Sequence, residues 1–408
     1  MSTHEATQAE LLERARAVQL GNYAPAPVVF TRGEGRRLYD RAGRAYLDLS
    51  GGVAVNSVGH AHPVLAAAIA EQAARLMHVS NLFYNDRAIE LASAIVDRSA
   101  FDRVYFCNSG AEANESLLKL ARRFQYEQGQ GERVEIISTH RSFHGRTLGA
   151  LSVTGQDKYH VGMGPLLPGV VFVPYNDVDA MRAAIGPRTA AVLLEPVQAE
   201  GGIIPAAPGY LESVRALCDA EGALLLFDEV QTGYGRLGTF MGAQRSGVVP
   251  DACSLAKGIA GGFPLGAIAV TERLAGGLPP GSHASTFGGN ALACAAGLAV
   301  LRIFDEEGVL ANVNREGDYL GQRLGALAAE LPAVTEARGD GLLRGLVLAE
   351  GVDPGATWRA ALDAGVALTL AGGNVLRFTP SLNVTRAELD EGLDIVKSVL
   401  TKAAEVAA

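Results

Sequence analysis

The sequence predicts an α/β protein with two parts: a large domain built on a mainly parallel sheet covered by helices, and a smaller α+β domain. The first observation is a series of short, continuous apolar runs, which is typical of strands buried on both faces. The second is that segments apolar at helical spacing lie between these runs, such as residues 209–222, which end at a glycine. Alternating strands and helices favour a parallel sheet with helices packed on it. The predicted strands cover residues 103–107, 134–137, 170–173, 190–194, 223–227 and 265–270.

The third observation is a change of pattern along the chain. At 408 residues the chain is longer than one hydrophobic core usually supports. After about residue 290 an alanine-rich helix is followed by strand-like pieces and a final helix, which begins at the capping-box motif Thr-Arg-Ala-Glu at 385–388. We therefore predict an N-terminal segment at 1–62 that joins the small domain, a large α/β domain at 63–304 and a C-terminal α+β domain at 305–408.

The composition excludes several function classes. The chain is 48% hydrophobic and 19% charged, as globular rather than disordered proteins are. Its net charge of −9, without a basic cluster, argues against nucleic acid or an anionic membrane as a partner. The N-terminus lacks the apolar core of a secretory signal, and no apolar run is long enough to span a membrane. The cysteines are scattered without metal-ligand spacing, so we expect a cytoplasmic protein with reduced thiols and no metal site: Cys107, Cys218, Cys253 and Cys294.

Lys257 is the first candidate functional residue. Five of the 35 basic residues are lysines, and the other four lie among polar neighbours. Lys257 instead lies in the small, apolar stretch SLAKGIAGGFPLGA at 254–267, where lost hydration disfavours the charged ammonium. This stretch alone leaves two interpretations open: the ammonium pairs with a buried carboxylate, or the free amine serves as a nucleophile.

The second candidate is the turn that follows the first predicted strand of the large domain. Ser109 and Glu112 form a capping-box motif, which predicts a helix that runs through Arg123. Gly110 and Ala111 place no bulk over the first free amides of this helix, where N–H groups and the helix dipole favour an anion such as phosphate. The motif is neither a Walker sequence nor a GxGxxG turn, and by itself such a segment is more often a plain turn.

Asp228 is the third candidate. It follows the buried run 223–227 at its carboxyl end, where open α/β sheets place their ligands. A buried carboxylate needs a cationic or hydrogen-bonding partner, which is either a group of the protein or a protonated ring nitrogen that enters the site. An anion-binding turn, an acidic strand end and a desolvated lysine, in this order, together match the needs of pyridoxal phosphate: an anchor for the phosphate, a carboxylate for the ring nitrogen and an amine for the aldehyde.

Longer motifs point the same way. In chain order they are NYAPAP at 22–27, GHAHP at 59–63, NSGAEAN at 108–114, FHGRT at 143–147, EPVQ at 195–198, DEVQ at 228–231, Lys257, STFGGN at 285–290 and LRF at 376–378. With these motifs the chain resembles, nearly end to end, the class III, fold type I pyridoxal-phosphate aminotransferases, and among them most closely the acetylornithine aminotransferases.

The resemblance implies a complete cofactor site at a dimer interface, and therefore an obligate homodimer. Lys257 would bond the cofactor and move a proton at the substrate carbon, while Asp228 would keep the ring nitrogen protonated; these two are the expected catalytic residues. Gly110 and Ala111 would bind the cofactor phosphate, together with Thr286 of the partner subunit. Phe143 and Val230 would cover the two faces of the ring, and Gln231 would lie near the ring oxygen.

The resemblance also implies the substrate contacts. Arg146 would bind the carboxylate far from the reacting amine, and Arg377 would bind the α-carboxylate of glutamate or 2-oxoglutarate. Glu200 would neutralise Arg377 when an ω-amine substrate occupies the site. Ser285 and Tyr23 complete the expected substrate-binding residues.

The reaction that the resemblance implies is transfer of the ω-amino group of N2-acetyl-L-ornithine to 2-oxoglutarate, a ping-pong reaction of arginine biosynthesis. Residues 49–56 include no aromatic side chain, whereas ornithine-specific relatives have a tyrosine there, and its absence leaves room for an acylated α-amine. Ala199 stands where the family commonly has glycine, next to Glu200. Succinylornithine, ornithine, lysine and 4-aminobutyrate stay open as amino donors. Alternatives of other classes are an NAD-dependent α/β oxidoreductase, against which the missing glycine fingerprint counts, and a catalytically silent dimer.

Overall fold

The computed structural model describes residues 6–407, so the first five residues of the predicted N-terminal segment and the last residue of the C-terminal domain lie outside the described residues. The strands are β1 (Phe30–Glu34), β2 (Arg37–Asp40), β3 (Ala45–Asp48), β4 (Arg103–Cys107), β5 (Glu135–Thr139), β6 (Val170–Val173), β7 (Thr189–Leu194), β8 (Val197–Gln198), β9 (Ile204–Pro205), β10 (Leu224–Asp228), β11 (Ala252–Leu255), β12 (Gly266–Val270), β13 (Val334–Asp340), β14 (Leu343–Leu348), β15 (Val366–Ala367), β16 (Thr369–Ala371) and β17 (Val375–Phe378).

The α-helices are α1 (Gln8–Val18), α2 (Gly51–Ala54), α3 (Pro63–Arg75), α4 (Asp86–Val96), α5 (Gly110–Glu127), α6 (Leu148–Ser152), α7 (Val178–Ala184), α8 (Tyr210–Glu221), α9 (Ala243–Ser246), α10 (Ala291–Glu306), α11 (Val309–Glu330), α12 (Pro354–Asp363) and α13 (Arg386–Ala407). Short 3-10 turns cover Asp157–Tyr159, Lys257–Ala260 and Glu272–Leu274. None of the helices within residues 6–407 combines the length and the apolar character that a membrane crossing requires.

The central sheet has seven strands in the order β4-β12-β11-β10-β7-β5-β6. Six of them run parallel to one another, whereas β12 is antiparallel to both β11 and β4. This confirms the predicted mainly parallel sheet covered by helices. Every residue of β7 and β10 is buried, which explains why these apolar runs are continuous rather than alternating. The sequence prediction missed β11, because its four residues, Ala-Cys-Ser-Leu, form no apolar run.

The strand order brings distant parts of the chain to one edge of this sheet. Because β4, β10 and β11 are parallel, their carboxyl ends point the same way. The chain enters α5 shortly after β4, ends β10 at Asp228, and reaches Lys257 just after β11. The three candidate segments of the sequence therefore meet at the edge where open α/β sheets bind their ligands.

Two further sheets have four strands each. One has the order β1-β2-β3-β15, so an early strand, β3, pairs in parallel with a late one, β15. The other, β13-β14-β17-β16, is antiparallel throughout and packs against α11. The division of the chain at residues 62 and 304 stays a prediction.

Two predicted helix boundaries are confirmed. Before α13, the Thr385 N–H donates to Glu388 Oε2 (2.9 Å) and the Glu388 N–H donates to Thr385 Oγ1 (3.4 Å), which is the predicted capping box. α8 lies within the predicted segment 209–222 and ends at Gly222, whose φ of 71° is the left-handed conformation that favours glycine.

Candidate active site

A cavity of about 470 Å³ opens at the carboxyl edge of the central sheet. Most of its walls come from the segments that follow β4, β5, β7, β10 and β11. The predicted site residues that line it are Gly110, Ala111, Phe143, Arg146, Asp228, Val230, Gln231 and Lys257. The fold therefore gathers eight of the predicted residues around one ligand-sized space.

The turn after β4 presents free amides to this cavity. α5 begins at Gly110, and the Ser109 Oγ accepts a hydrogen bond from the Glu112 N–H (3.2 Å). The N–H groups of Gly110 and Ala111 donate to no group among residues 6–407. An anion at this helix N-terminus would satisfy both amides and interact favourably with the helix dipole.

The capping box predicted at this turn is wrong in one detail. The Glu112 carboxylate does not accept from the backbone of Ser109. It accepts from the backbone N–H of Asn108 (2.7 Å) and from Asn108 Nδ2 (2.9 Å), and so gains two hydrogen bonds where the standard box offers one. The helix also continues past Arg123, its predicted end, to Glu127.

Asp228 carries a fixed negative charge at the end of β10. Its side chain is buried, with Oδ2 lying 2.7 Å from Asn114 Nδ2 and 2.8 Å from His144 Nδ1. Oδ1 accepts hydrogen bonds from the Val230 N–H (3.0 Å) and from Ser254 Oγ (3.3 Å). Burial by itself raises the pKa of this carboxyl, but the hydrogen bond and charge of His144, with the hydrogen bonds from Val230 and Asn114, together outweigh it, so the pKa of Asp228 lies below its ordinary value.

Asn114 and His144 are partners of Asp228 that the sequence analysis did not identify. Asn114 lies on α5, and its Nδ2 also donates to the carbonyl oxygen of His144 (2.7 Å). The imidazole of His144 is fully buried, with Nε2 3.4 Å from Ser138 Oγ. The only sequence signal was that both residues fall within the motifs NSGAEAN and FHGRT, since nothing in their spacing predicts a contact with a strand end more than 80 residues away.

Lys257 reaches the cavity from a strained backbone. Its φ of 48° lies in the left-handed region, which residues with a Cβ rarely adopt and which is often associated with functional sites. Among residues 6–407 its amine has no hydrogen-bond or ion-pair partner. Desolvation lowers the pKa of Lys257, an effect that the charge of Glu200 opposes only in part. Of the two interpretations of this lysine, the structure favours the free amine.

The loop that carries Phe143 is fixed by a buried carboxyl. The Phe143 N–H donates to Glu195 Oε1 (3.0 Å), and the Ala199 N–H donates to Glu195 Oε2 (3.1 Å). Burial raises the pKa of Glu195 to about 7. Glu195 therefore connects the aromatic wall of the cavity to the segment that leads into Glu200.

A buried ion pair lies beside the cavity. Arg377, on β17, is 2% exposed and pairs with Glu200 Oε1, while its Nε donates to Thr369 Oγ1 (2.9 Å). Gln231 bridges the pair, accepting from an Arg377 terminal nitrogen (3.2 Å) and donating from Nε2 to Glu200 (3.3 Å). Burial raises the pKa of Glu200, but the charges of Arg377 and Lys257 and the hydrogen bonds from Arg377 and Gln231 together more than offset this, so the pKa is lowered. Because Gln231 lines the cavity, the ion pair is one side chain away from it.

Besides Arg377 and Glu200, three predicted residues do not line the cavity. Ser285 is at its edge, where its Oγ lies 3.2 Å from the Nδ2 of Asn108, a lining residue. Thr286 is exposed, and Tyr23 is 82% exposed. In one chain these two side chains face solvent, and their roles stay predictions.

The residues present fit pyridoxal phosphate. The cavity offers two uncommitted amides for a phosphate (Gly110 and Ala111), an ionised carboxylate for a ring nitrogen (Asp228) and an amine without a partner for an aldehyde (Lys257). Gly110 also has no room for a side chain, because an added Cβ would lie 2.8 Å from Val230 Cγ1.

Comparisons with known proteins agree with this geometry. The profile of the family described as aminotransferase class-III matches residues 19–400. An acetylornithine aminotransferase of Caldanaerobacter subterraneus subsp. tengcongensis is 47% identical over 94% of this chain and 97% of that protein. A succinylornithine transaminase/acetylornithine aminotransferase of Pseudomonas aeruginosa is 46% identical over 389 residues, 93% of this chain and 94% of that protein. A solved structure of an ornithine aminotransferase of Toxoplasma gondii, which shows partial occupancy of pyridoxal phosphate at its active site, is also similar. Its TM-score is 0.95 at 33% identity, and the match covers 98% of this chain and 96% of that protein.

These findings confirm the predicted family, fold class and cofactor. They also show that the two alternatives of other classes, an NAD-dependent oxidoreductase and a silent dimer, are wrong. The chain belongs to the class-III aminotransferases and is a pyridoxal-phosphate-dependent enzyme of that family.

Proposed function

We propose that this enzyme transfers the ω-amino group of N2-acetyl-L-ornithine to 2-oxoglutarate, giving N-acetyl-glutamate 5-semialdehyde and glutamate in arginine biosynthesis. The names of the relatives described above support this substrate. The observation that carries the proposal is the buried pair of Arg377 and Glu200 beside the cavity.

The pair suits an enzyme that must accept two unlike substrates in turn. Glutamate and 2-oxoglutarate have a carboxylate next to the reacting carbon, whereas the reacting end of acetylornithine has none. With Glu200 in place, Arg377 is neutralised and does not present an uncompensated cation to the ω-ammonium group. If Glu200 moves away, the two terminal nitrogens of Arg377 can bind an α-carboxylate in the forked geometry that arginine favours.

Lys257 is the proposed proton carrier. When bound, pyridoxal phosphate accepts the electrons that deprotonation of the substrate carbon leaves behind. Lys257 would take that proton and return it, because its amine is unpartnered and its lowered pKa favours the uncharged form. A base held at the site acts without the entropy cost of bringing in a free one.

The remaining cofactor contacts follow from the walls of the cavity. Gly110 and Ala111 would donate their amides to the phosphate, and Asp228 would hold the ring nitrogen protonated with the charge that His144 stabilises. Phe143 and Val230 would cover the ring faces. Gln231 would lie near the ring oxygen.

We assign substrate recognition to Arg146 and to two residues outside the cavity. Arg146 lines the cavity, and its guanidinium is free to bind the carboxylate far from the reacting amine. Ser285 and Tyr23 would contact substrate once a second subunit completes the site.

We also propose a homodimer with shared sites. Exposed apolar side chains surround the segment that carries Thr286: Leu82 (86% exposed), Phe83 (71%), Tyr84 (95%) and Phe287 (60%). Asn81 ties the two parts of this patch together, its Nδ2 donating to the carbonyls of Ser285 (2.9 Å) and Gly288 (3.0 Å). A second copy would cover this apolar surface and allow Thr286 to reach the phosphate of its partner. The location that we propose is the cytoplasm, which agrees with four free, buried cysteines.

Succinylornithine is the second candidate amino donor, because the Pseudomonas aeruginosa relative is named for both acyl forms. The two molecules differ in the acyl group, which lies at the end of the substrate away from Lys257. Ala199 is fully buried, so its methyl group does not point into the open cavity. Ala199 therefore gives no basis for separating the two acyl forms.

The test is a comparison of kcat/KM for acetylornithine, succinylornithine, ornithine and 4-aminobutyrate, each with 2-oxoglutarate. We expect acetylornithine to be preferred over ornithine and 4-aminobutyrate by at least tenfold, the factor that corresponds to about 1.4 kcal/mol of transition-state binding. Lys257→Ala, which should show no turnover with any donor, is the control for contaminating enzymes. Equal values for ornithine and acetylornithine would contradict the proposed substrate and leave the family assignment intact.

A further inference from the structure

The guanidinium of Arg146 is held in an unusual way for a charged group that lines the cavity. Among residues 6–407 it makes no hydrogen bond and no ion pair. Instead its Cζ lies 3.6 Å from the ring centroid of Tyr159 and 5.5 Å from that of Phe143. All five N–H donors of the guanidinium are therefore uncommitted, while its position is defined by aromatic faces.

Tyr159 is well placed to hold this arginine. It ends the 3-10 turn Asp157–Tyr159, it is half-buried, and it is not part of the cavity wall. Its ring packs edge-on against Phe143, with centroids 6.0 Å apart and an interplanar angle of 81°. The turn is tied to the same loop by Gln156, whose Nε2 donates to the Ser142 carbonyl (3.1 Å). Tyr159 thus contacts both Arg146 and the residue proposed to cover the cofactor ring.

We infer that Tyr159 is a positioning residue for substrate, an assignment that rests on the proposed role of Arg146 as the carboxylate anchor. The ring fixes the plane of the guanidinium by cation–π contact and leaves its fork of donors free for a carboxylate. A carboxylate partner in the protein would have fixed Arg146 equally well, but it would have competed with the substrate. An aromatic partner orients the cation without occupying its hydrogen bonds.

This arrangement predicts which kinetic constants depend on Tyr159. Arg146 would bind the α-carboxylate of the ω-amino donor and the distal carboxylate of 2-oxoglutarate, so both half-reactions use it. Loss of the Tyr159 ring should therefore raise KM for both substrates. Loss of Arg377 or its partner Glu200 should instead affect the two substrates unequally.

The experiment compares Tyr159→Leu, which removes the ring face, with Tyr159→Phe, which keeps it. Lys158→Gln is the matched control, because Lys158 Nζ lies 4.8 Å from the centroid of the same ring but does not line the cavity. The first measurements are kcat and KM for the wild-type enzyme's preferred ω-amino donor and for 2-oxoglutarate. The second is the Kd of glutarate, an unreactive dicarboxylate, which is obtained from the change that glutarate causes in the cofactor absorbance. Thermal unfolding and the absorbance of the unliganded holoenzyme show whether each variant is folded and loaded.

We expect Tyr159→Leu to raise both KM values and the glutarate Kd by about 2- to 30-fold, the range that a lost cation–π contact implies, with kcat within about twofold. Tyr159→Phe should restore the wild-type values, and Lys158→Gln should retain them. Unchanged KM and Kd in a folded, loaded Tyr159→Leu enzyme would overturn the inference, and so would an equal weakening by Tyr159→Phe. Because the preferred donor is chosen from the wild-type enzyme and glutarate binding needs no turnover, failure of the acetylornithine assignment would not be mistaken for failure of this inference.

Discussion

The phosphate-binding turn can be tested by adding a single methyl group. Gly110 is the first residue of α5, and a Cβ at this position would lie 2.8 Å from Val230 Cγ1 and 2.9 Å from Val230 Cγ2. Ordinary contacts begin near 3.4 Å, so the methyl group of Gly110→Ala would be about 0.6 Å too close. Val230 lines the cavity, and the displacement would fall on the wall that faces the cofactor ring.

The size of the effect follows from the cost of overpacking. An extra methyl group in a tightly packed place costs about 1–3 kcal/mol. If this cost falls on the cofactor-bound state, the affinity for pyridoxal phosphate decreases about 5- to 150-fold. In the apoprotein Val230 has room to move toward the cavity, and alanine is favoured over glycine in helices, so the apoprotein should lose little stability.

The assay is a titration of apoprotein with pyridoxal phosphate, followed by absorbance and by quenching of protein fluorescence. Gly325→Ala is the control, because Gly325 lies in α11 with nothing within 4 Å of the added Cβ, and it should bind the cofactor like the wild type. An unchanged cofactor Kd for Gly110→Ala would refute the reasoning that places the phosphate at this turn and the cofactor ring against Val230.

Two further predictions concern buried carboxyl groups. Glu200→Gln leaves Arg377 without a counter-charge, so the half-reaction with the ω-amino donor should slow by about 10- to 100-fold, while glutamate is still accepted. Stopped-flow absorbance measures the rate of each half-reaction separately. Glu336→Gln, which removes the exposed acidic partner of Arg338, is its control, and equal slowing of both half-reactions would contradict the proposed switch. Burial raises the pKa of Glu229 to about 7 from 4.5, so the folded protein retains this proton to higher pH than the unfolded chain does. A stability contribution on the order of 3 kcal/mol is therefore present below about pH 4.5 and is lost as the pH rises through about 7. The thermal midpoint of Glu229→Gln should therefore fall less between pH 5 and 8 than that of the wild type. An equally steep fall would contradict this role of Glu229.

Much of the central sheet could be predicted from the sequence, because strands buried on both faces need continuous apolar runs. The predicted runs at 103–107 and 170–173 match β4 and β6 residue for residue, and the other predicted runs differ from β5, β7, β10 and β12 by one or two residues at one or both ends. β11 escaped because Ser254 interrupts a run of only four residues, although the strand is fully buried between β10 and β12. Its burial is decided by its neighbours in the sheet, which the local sequence does not reveal.

The chemistry of the site was predictable where it depends on residue type at a strand end. Asp228 and Lys257 stood out because a carboxylate and an ammonium are costly among apolar neighbours. The groups that support them were not predictable in the same way. Asn114 contacts Asp228 only because α5 packs against the sheet, and Tyr159 contacts Arg146 only because a short turn folds back on the Phe143 loop. Such contacts depend on tertiary packing between segments that carry no sign of each other in the sequence.

The most direct test of the proposed chemistry is to find which lysine bonds the cofactor. Reduction of the holoenzyme with borohydride should remove its visible absorbance and leave one modified peptide, identified by mass spectrometry, that contains Lys257. Modification at Lys119, Lys158, Lys397 or Lys402, or no modification in a protein that binds pyridoxal phosphate, would contradict the site described here.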